Sequence, residues 1–281
     1  MPAIHEYYLT EVDKESETIY CVHDLMGEKD IPFHEHQKGQ FLYTEGGIVY
    51  VITSGKTYFL PARHYMWIPA GVSHSIHPSS PDVTMRNLYF PVEENEPGFF
   101  TKTAIYPIND LLLQMILFSN HSSGDIFPTD LSAYRFTLAL KSILPSFSHY
   151  HLPLALPYPK DQRLAAVINH MEKNIAEIDP FPVLAANHGL SERSLSRLFQ
   201  QDVGMSFVQY LTLQRMMRAV QYLLEDKISV KQVSSLVGYN SVPTFSNTFY
   251  KVLGIRPSEY VKIEGVLGSS EPLSERDMLL S

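Results

Sequence analysis

The chain has 281 residues, of which 44% are hydrophobic and 19% charged, a composition that allows a soluble protein with two separate cores. Its one cysteine, Cys21, excludes a disulfide framework and fits a reducing cytoplasm. We expect a cytoplasmic protein without membrane contact, because the sequence shows no secretory leader and no apolar run of the roughly 20 residues that a membrane span requires.

The net charge of -8 is unevenly distributed along the chain. Residues 1–159 carry 9 Lys and Arg against 17 Asp and Glu, whereas residues 160–262 carry 12 against 9. Only the second segment is positive, which is the local requirement for approaching phosphate groups. The excess is modest and does not by itself establish binding to nucleic acid.

Short strands are predicted for the first third of the chain. Aromatic and β-branched residues concentrate in residues 41–45, 48–53, 56–60 and 65–68, and glycine-containing turns separate these runs. Regularly spaced short strands of this kind favour a small antiparallel barrel or sandwich, which we place over residues 1–105.

Three histidines give this barrel a candidate chemistry. His34 and His36 are two residues apart, so on one strand their rings point to the same face, and His74 ends the turn sequence PAGVSH. The arrangement resembles the two motifs of the cupin fold. Gln40 stands where that fold usually has a carboxylate, and an amide is the weaker metal ligand.

Two interpretations of the histidines remain open, since no cofactor follows with certainty from the sequence. The rings either line an effector pocket or pack in the core, or they bind a divalent metal through His34, His36 and His74. A barrel that is open at one end can hold one small molecule. The predicted effector contacts are His34, His36, Gln40, Tyr43, Trp67 and His74.

Helices replace the strands between residues 106 and 152. One apolar stripe includes Leu112 and Ile116, and a second lies on a segment that begins after Thr129 or Asp130. These helices either cover the barrel edge or pair with a second subunit. Three prolines within residues 153–160 then predict an extended hinge between two domains.

The segment 161–262 is predicted to be all-helical and to contain a repeated unit. A helix follows the cap Asp161, another starts at Asp179 and Pro180, and a third follows the cap Ser191. The third helix turns Leu195, Leu198 and Phe199 inward. The side chains that project from its other face are Arg193, Ser196, Arg197 and Gln200, which are residue types that can bond base edges in the major groove.

A long helix over residues 207–224 connects this unit to its second copy. Eighteen residues span about 27 Å, comparable to the roughly 34 Å between successive major-groove entries on one side of DNA. Arg215 and Arg218 on this helix contact either phosphates or the nearby Glu225 and Asp226.

The second copy turns at Gly238 and enters a helix after Ser241. Five of its residues repeat at a spacing of fifty, where Leu195, Ser196, Phe199, Gly204 and Tyr210 correspond to Phe245, Ser246, Phe249, Gly254 and Tyr260. Two copies of a helix-turn-helix unit are therefore predicted.

The sequence GYNSVPTFSNTFYKVLGIRPSEY, residues 238–260, resembles the signature of AraC/XylS-type transcription regulators, which commonly carry a cupin-like domain in front. The resemblance implies base-facing positions in both copies. Those of the first copy are Arg193, Ser196, Arg197 and Gln200, and those of the second are Val242, Pro243, Ser246, Asn247 and Tyr250. Because Val242 and Pro243 have no side-chain donor, hydrogen-bonded base recognition is expected mainly from the first copy.

The leading hypothesis is a transcription regulator that is not an enzyme. Its expected partners are promoter DNA, a small-molecule effector and a second copy of the chain, with RNA polymerase added if it activates transcription. Two alternatives stay open: a cupin metalloprotein or enzyme with an appended DNA-binding module, and a barrel that only dimerises. The tail, residues 263–281, is polar and acidic and is predicted to be disordered.

Overall fold

The computed structural model describes residues 11–27, 29–93, 95–148, 151–152, 154–224 and 228–262. The tail predicted to be disordered, residues 263–281, lies outside the described residues. No helix in the described ranges is long and apolar enough to cross a membrane.

Two antiparallel sheets form the N-terminal part, which confirms the predicted β-rich fold. The six-stranded sheet A has the order β10-β1-β8-β3-β6-β9, and the five-stranded sheet B has the order β11-β5-β4-β7-β2. The strands are β1 (Ile19–Leu25), β2 (Ile31–His34), β3 (Gly39–Glu45), β4 (Ile48–Thr53), β5 (Lys56–Pro61), β6 (His64–Ile68), β7 (His74–Pro78), β8 (Thr84–Phe90), β9 (Ala104–Pro107), β10 (Gly124–Ile126) and β11 (Ala155–Pro157).

Sheet A is buried on both faces. Along β3, Leu42 belongs to the core that includes the inner side chains of sheet B, whereas Phe41 and Tyr43 belong to a second core. The second core also contains buried side chains of the helices α1 (Asp110–Phe118) and α2 (Leu131–Phe147). These helices begin at the caps Asn109 and Asp130, whose side chains accept backbone N–H groups in the first turn.

Strands from beyond residue 105 complete both sheets. β10 lies in the segment predicted to be helical and pairs with β1, and β9 continues past the predicted barrel boundary. The proline-rich segment is also not a free hinge, because β11 pairs with β5 and aligns Ala155 with Tyr58. Proline is tolerated there since β11 forms an edge of sheet B and Pro157 is its last residue.

The C-terminal part is helical, as predicted. Its helices are α3 (Gln162–Lys173), α4 (Phe181–Asn187), α5 (Glu192–Leu198), α6 (Phe207–Leu224), α7 (Val230–Leu236), α8 (Val242–Leu253) and α9 (Pro257–Lys262). Asp161 caps α3 as expected, but α4 starts one residue later than predicted, with Pro180 at the cap position. Asp179 instead accepts a hydrogen bond from Asn187 Nδ2 at 3.1 Å.

The two helix-turn-helix units repeat in structure as they do in sequence. Gly204 ends the first unit with φ 69°, and Gly254 ends the second with φ 74°, both in the left-handed region that favours glycine. Three pairs of equivalent side chains are buried, namely Leu195 with Phe245, Phe199 with Phe249, and Tyr210 with Tyr260. The repeat therefore extends to the core of each unit.

The second unit packs directly against the barrel. Tyr260 Oη donates a hydrogen bond to Ala62 O at 3.1 Å, and Gln221 Nε2 on α6 donates to Tyr50 Oη on β4. The buried ring of His64 on β6 lies 6.4 Å from the Tyr260 ring. Contacts of this kind make the position of α6 dependent on the barrel.

Candidate DNA-binding surface and histidine site

The first candidate recognition helix is α5. One of its faces packs on the core, and the other face is exposed to solvent. Ser191 Oγ accepts from Ser194 N at 3.2 Å and starts the helix, and Leu195 is fully buried beneath it. The four predicted base-facing side chains are all exposed: Arg193, Ser196, Arg197 and Gln200. Gln200 lies just beyond α5, on the π-helical turn that follows it.

Arg193 and Arg197 keep their donors available to a ligand. Among the described residues, neither guanidinium takes part in an ion pair. A guanidinium presents five N–H donors in a planar fork, which suits the O6 and N7 acceptors of guanine as well as phosphate. The exposed face of α5 therefore has the chemistry that base recognition requires.

The second candidate helix, α8, presents a mixed surface. Val242, Pro243, Asn247 and Tyr250 are exposed, and Ser246 is half-buried. The two apolar positions lie in the first turn, after the cap Ser241. They offer thymine methyl contacts rather than hydrogen bonds.

Arg256 adds a positive charge to α8 that the sequence analysis missed. Its Nη1 donates to Asn247 Oδ1 at 2.7 Å, and its guanidinium carbon lies 4.8 Å from the centre of the Tyr250 ring. Arg256 belongs to the turn after α8, so helical periodicity does not place it on the surface of that helix. The basic residue between Gly254 and Pro257 was the only available signal.

Arg215 and Arg218, which had two alternative partners, are both half-buried against protein groups. Arg215 Nε donates to Ile175 O at 3.2 Å, and burial lowers the pKa of its guanidinium. Arg218 Nη1 donates to Gln221 Oε1 at 3.1 Å. The alternative partners Glu225 and Asp226 lie outside the described residues.

The three predicted histidines converge between the two sheets. The ring centres of His34 and His74 are 4.3 Å apart, those of His36 and His74 are 5.3 Å apart, and one ring nitrogen from each residue lies within 4.8 Å of the others. His34 ends β2 opposite His74 at the start of β7. His36 lies beyond the end of β2, so the expectation that His34 and His36 share one strand is wrong, although their rings still meet.

Backbone carbonyls fix the tautomer of each ring. A carbonyl oxygen only accepts, so the nitrogen facing it carries the proton, and the Nε2 lone pair of each ring is left for a ligand. The Nδ1 partners are Pro32 O at 2.8 Å for His34, Lys38 O at 2.5 Å for His36 and Val72 O at 2.7 Å for His74. Within the described part of the chain, Nε2 of His34 and of His74 is buried and has no hydrogen-bond partner.

Gln40 directs a further oxygen toward these lone pairs. Its Nε2 donates to Asn87 Oδ1 at 2.8 Å and to Tyr89 Oη at 3.1 Å, which orients the amide. Its Oε1 then faces His36 Nε2 at 3.2 Å, so two acceptors oppose each other. A cation between them removes this conflict, and the donor set therefore fits a divalent metal ion.

Burial keeps the three imidazoles neutral. It lowers the pKa of His74 to about 3, with the neighbouring His34 as the next cause. Burial also lowers the pKa values of His34 and His36, opposed by their hydrogen bonds to backbone carbonyls. Neutral imidazoles are the protonation state that binds metals.

Tyr43 and Trp67 do not lie with the histidines, which corrects the prediction that they line the same site. Side chains alternate across a strand, so Tyr43 points to the face of sheet A opposite to Gln40. Trp67 is aligned with Phe41 on that second face, and its Nε1 donates to Phe100 O at 3.0 Å. Both are core residues between sheet A and its helices.

Asn87 and Tyr89 are the residues that complete the histidine site from β8. The Tyr89 ring packs edge-on against His36 at 5.0 Å, and Asn87 is buried behind Gln40. Asn87 was not among the residues predicted from the sequence. An asparagine two residues before Tyr89, inside the segment 1–105 predicted to form the barrel, was the signal that could have identified it.

Two family models match the chain. A helix-turn-helix domain model matches residues 184–263, and an AraC-like ligand-binding domain model matches residues 21–96. Together they cover both the repeated helical units and the sheets that hold the histidines.

Curated and solved proteins that are similar to the chain include transcription regulators. The HTH-type transcriptional regulator NimR of Escherichia coli K12 is 25% identical over 248 residues, which covers 88% of both chains. The regulator GbdR of Pseudomonas aeruginosa is 28% identical over 181 residues, and the match spans 47% of its length. A solved AraC-type transcriptional regulator from Chromobacterium violaceum is 32% identical, with 37% of this chain and 92% of that chain covered and a TM-score of 0.35.

The paired domain models, the match to NimR along most of both chains and the repeated helix-turn-helix units agree with one another. The chain belongs to the AraC family of DNA-binding transcription regulators and carries the N-terminal ligand-binding domain of that family.

Proposed function

We propose that the chain recognises promoter DNA through α5 and α8, with most base-specific hydrogen bonds made by α5. The observation that carries this proposal is the exposed donor set of Arg193 and Arg197, which pairs with no carboxylate of the described residues, above a fully buried Leu195. Beside α8, Arg256 adds a second positive charge to that of Lys251 and contacts Asn247 and Tyr250. The segments 161–262 and 1–152 would then act as the DNA-binding and sensing units.

Selection of bound sequences from a random DNA pool tests this proposal. On the selected site, Arg197→Ala is expected to lose about 1–3 kcal/mol of binding free energy and to relax selectivity at one base pair. Val242→Ala, which removes only apolar contacts, is the matched control and is expected to lose less. Equal losses on the selected site and on random DNA for Arg197→Ala would contradict base recognition by that residue.

The histidine site is proposed to hold a divalent metal ion through His34, His36 and His74, with Gln40 as a fourth ligand. Support comes from the converging Nε2 lone pairs and from the opposed acceptors of His36 and Gln40. Such an ion would fix the ends of β2 and β7, and a metal that takes more than four ligands would keep a position for an effector.

Metal analysis of the purified protein tests the site. About one equivalent is expected after equilibration with a first-row divalent metal, and His74→Ala should abolish it. His77→Ala is the matched control, because its ring pairs with Asp30 at 3.0 Å and is not part of the cluster. A wild-type protein that binds no metal would leave the rings as effector contacts only.

We further propose a cytoplasmic homodimer that binds and does not catalyse. The regulatory role of the relatives supports binding rather than an enzyme reaction. Leu111 and Phe118 on α1 and Leu131 on α2 are each more than half exposed, which provides an apolar surface for a second subunit. If the protein activates transcription, RNA polymerase becomes a further partner. Sedimentation of Leu131→Glu beside wild type tests the dimer, since the added charge should yield monomers.

A further inference from the structure

A cleft lies where the barrel meets the DNA-binding unit. Its volume is about 490 Å³, within the roughly 300–1,000 Å³ typical of small-molecule sites. Strands β4 and β5, the segment around β11, and helices α3 and α6 all contribute to its walls. A molecule in this cleft would therefore touch both units at once.

The cleft is separate from the histidine site. On β4, Val51 is aligned with Ile76 of β7 in the inner core, and His74 lies on the same face as Ile76 because the two residues are two apart. Tyr50, one residue before Val51, points to the outer face of sheet B and lines the cleft. Sheet B thus stands between the two sites.

The walls of the cleft are amphipathic. Phe59, Ile168 and Met217 provide an apolar surface. Gln214 Oε1 is buried there and accepts no hydrogen bond from any described residue, which is a costly arrangement for a polar atom without a ligand.

Arg218 supplies the charge of the cleft. Its side chain is half-buried, its Nη1 donates to the neutral Gln221, and its guanidinium carbon lies 5.9 Å from the centre of the Tyr222 ring. No carboxylate pairs with it in the described ranges. Glu172 also lines the cleft but is exposed to solvent. A guanidinium that is partly removed from water and has no counter-ion among the described residues favours an anionic ligand group.

We infer that this interdomain cleft is a second ligand site, which takes an amphipathic small anion with an aromatic or aliphatic body and an N–H or O–H group. The anion pairs with Arg218, the donor bonds Gln214 Oε1, and the apolar body packs on Phe59 and Met217. Occupancy then bridges sheet B and α6, the helix that carries both recognition units. The inference does not depend on DNA binding.

Two matched fluorescent probes test the site in the full chain. Anilinonaphthalene sulfonate has an aromatic body, an N–H group and a sulfonate, whereas N-phenylnaphthylamine has the same body and N–H group without the charge. The sulfonate probe is expected to bind with a stoichiometry of one. Arg218→Met should weaken its binding about tenfold and leave the neutral probe unchanged, because one charge-assisted bond is lost.

Further variants separate the cleft from other surfaces. Gln214→Leu should weaken both probes, and Ala165→Trp should block both because Ala165 lines the cleft. Arg135→Met, on the exposed face of α2, is the matched control and should change neither. Circular dichroism and thermal melting verify that each variant is folded. If Ala165→Trp does not fold, the comparison of Arg218→Met with wild type still tests the inference. Sulfonate binding that is equal in wild type and Arg218→Met overturns the inference.

Discussion

The two glycine turns of the repeat provide a matched pair of substitutions. Gly189 and Gly238 occupy equivalent turns and both have positive φ, 67° and 79°. A Cβ at Gly189 would meet no atom within 4 Å. A Cβ at Gly238 would lie 2.4 Å from Ala176 O and 2.5 Å from Arg215 Nη2. Gly238 is therefore packed closely between Arg215 of α6 and the backbone that follows α3.

The expected costs follow from these contacts. Placing alanine in the left-handed region costs about 1–2 kcal/mol, partly offset by the lower backbone entropy of the unfolded variant, so Gly189→Ala should lose about 1 kcal/mol of unfolding free energy. Gly238→Ala carries the same cost plus about 1–3 kcal/mol of overpacking. The Arg215 side chain can move away, but the Ala176 carbonyl belongs to the backbone and cannot move independently.

Urea unfolding followed by circular dichroism at 222 nm measures both variants, because the signal comes mainly from helices. Hydrogen exchange then assigns the loss, which for Gly238→Ala should appear in the amides of α7 and α8. Equal destabilisation by the two substitutions would refute the reasoning, since it would mean that the close approach at Gly238 relaxes without cost.

Two further predictions concern buried charge and acid stability. Lys141 is buried against Glu96 and Pro91 O, so Lys141→Met should cost about 3 kcal/mol of unfolding free energy. Lys102 is exposed, so the control Lys102→Met should cost almost nothing. Equal melting curves for the two variants would contradict this prediction. Burial lowers the pKa of His23 from 6.5 to about 4, so the unfolded chain takes up the proton first and stability should fall as the pH drops through that window. His23→Gln should flatten the pH profile of unfolding, and an unchanged profile would contradict the assignment.

Local sequence patterns predicted the elements that local physics determines. The strand over residues 48–53 was predicted with the bounds it has, and the caps Asp161, Ser191 and Ser241 start helices as expected. The fifty-residue repeat could be identified from the sequence because each unit needs apolar residues at the same buried positions and a glycine in the left-handed conformation at its end. These features depend on residues near one another in the chain.

Long-range packing limited the rest of the prediction. Tyr43 and Trp67 were placed with the histidines because they are aromatic. Sheet A is apolar on both faces, so the hydrophobicity of a side chain gives no sign of which face surrounds the site. The hinge was predicted from its prolines alone, while its pairing with β5 depends on a strand about a hundred residues earlier. Arg256 reaches α8 from a following turn, which helical periodicity cannot indicate.

We propose that α5 and α8 enter successive major grooves on one side of the DNA. Methylation protection of guanine N7 on a selected site measures this directly, because N7 lies in the major groove. We expect two protected segments about 10 base pairs apart for each bound chain, with the segment assigned to α5 lost in Arg197→Ala. Protection of a single segment, or protection that Arg197→Ala leaves unchanged, would contradict this arrangement on the DNA.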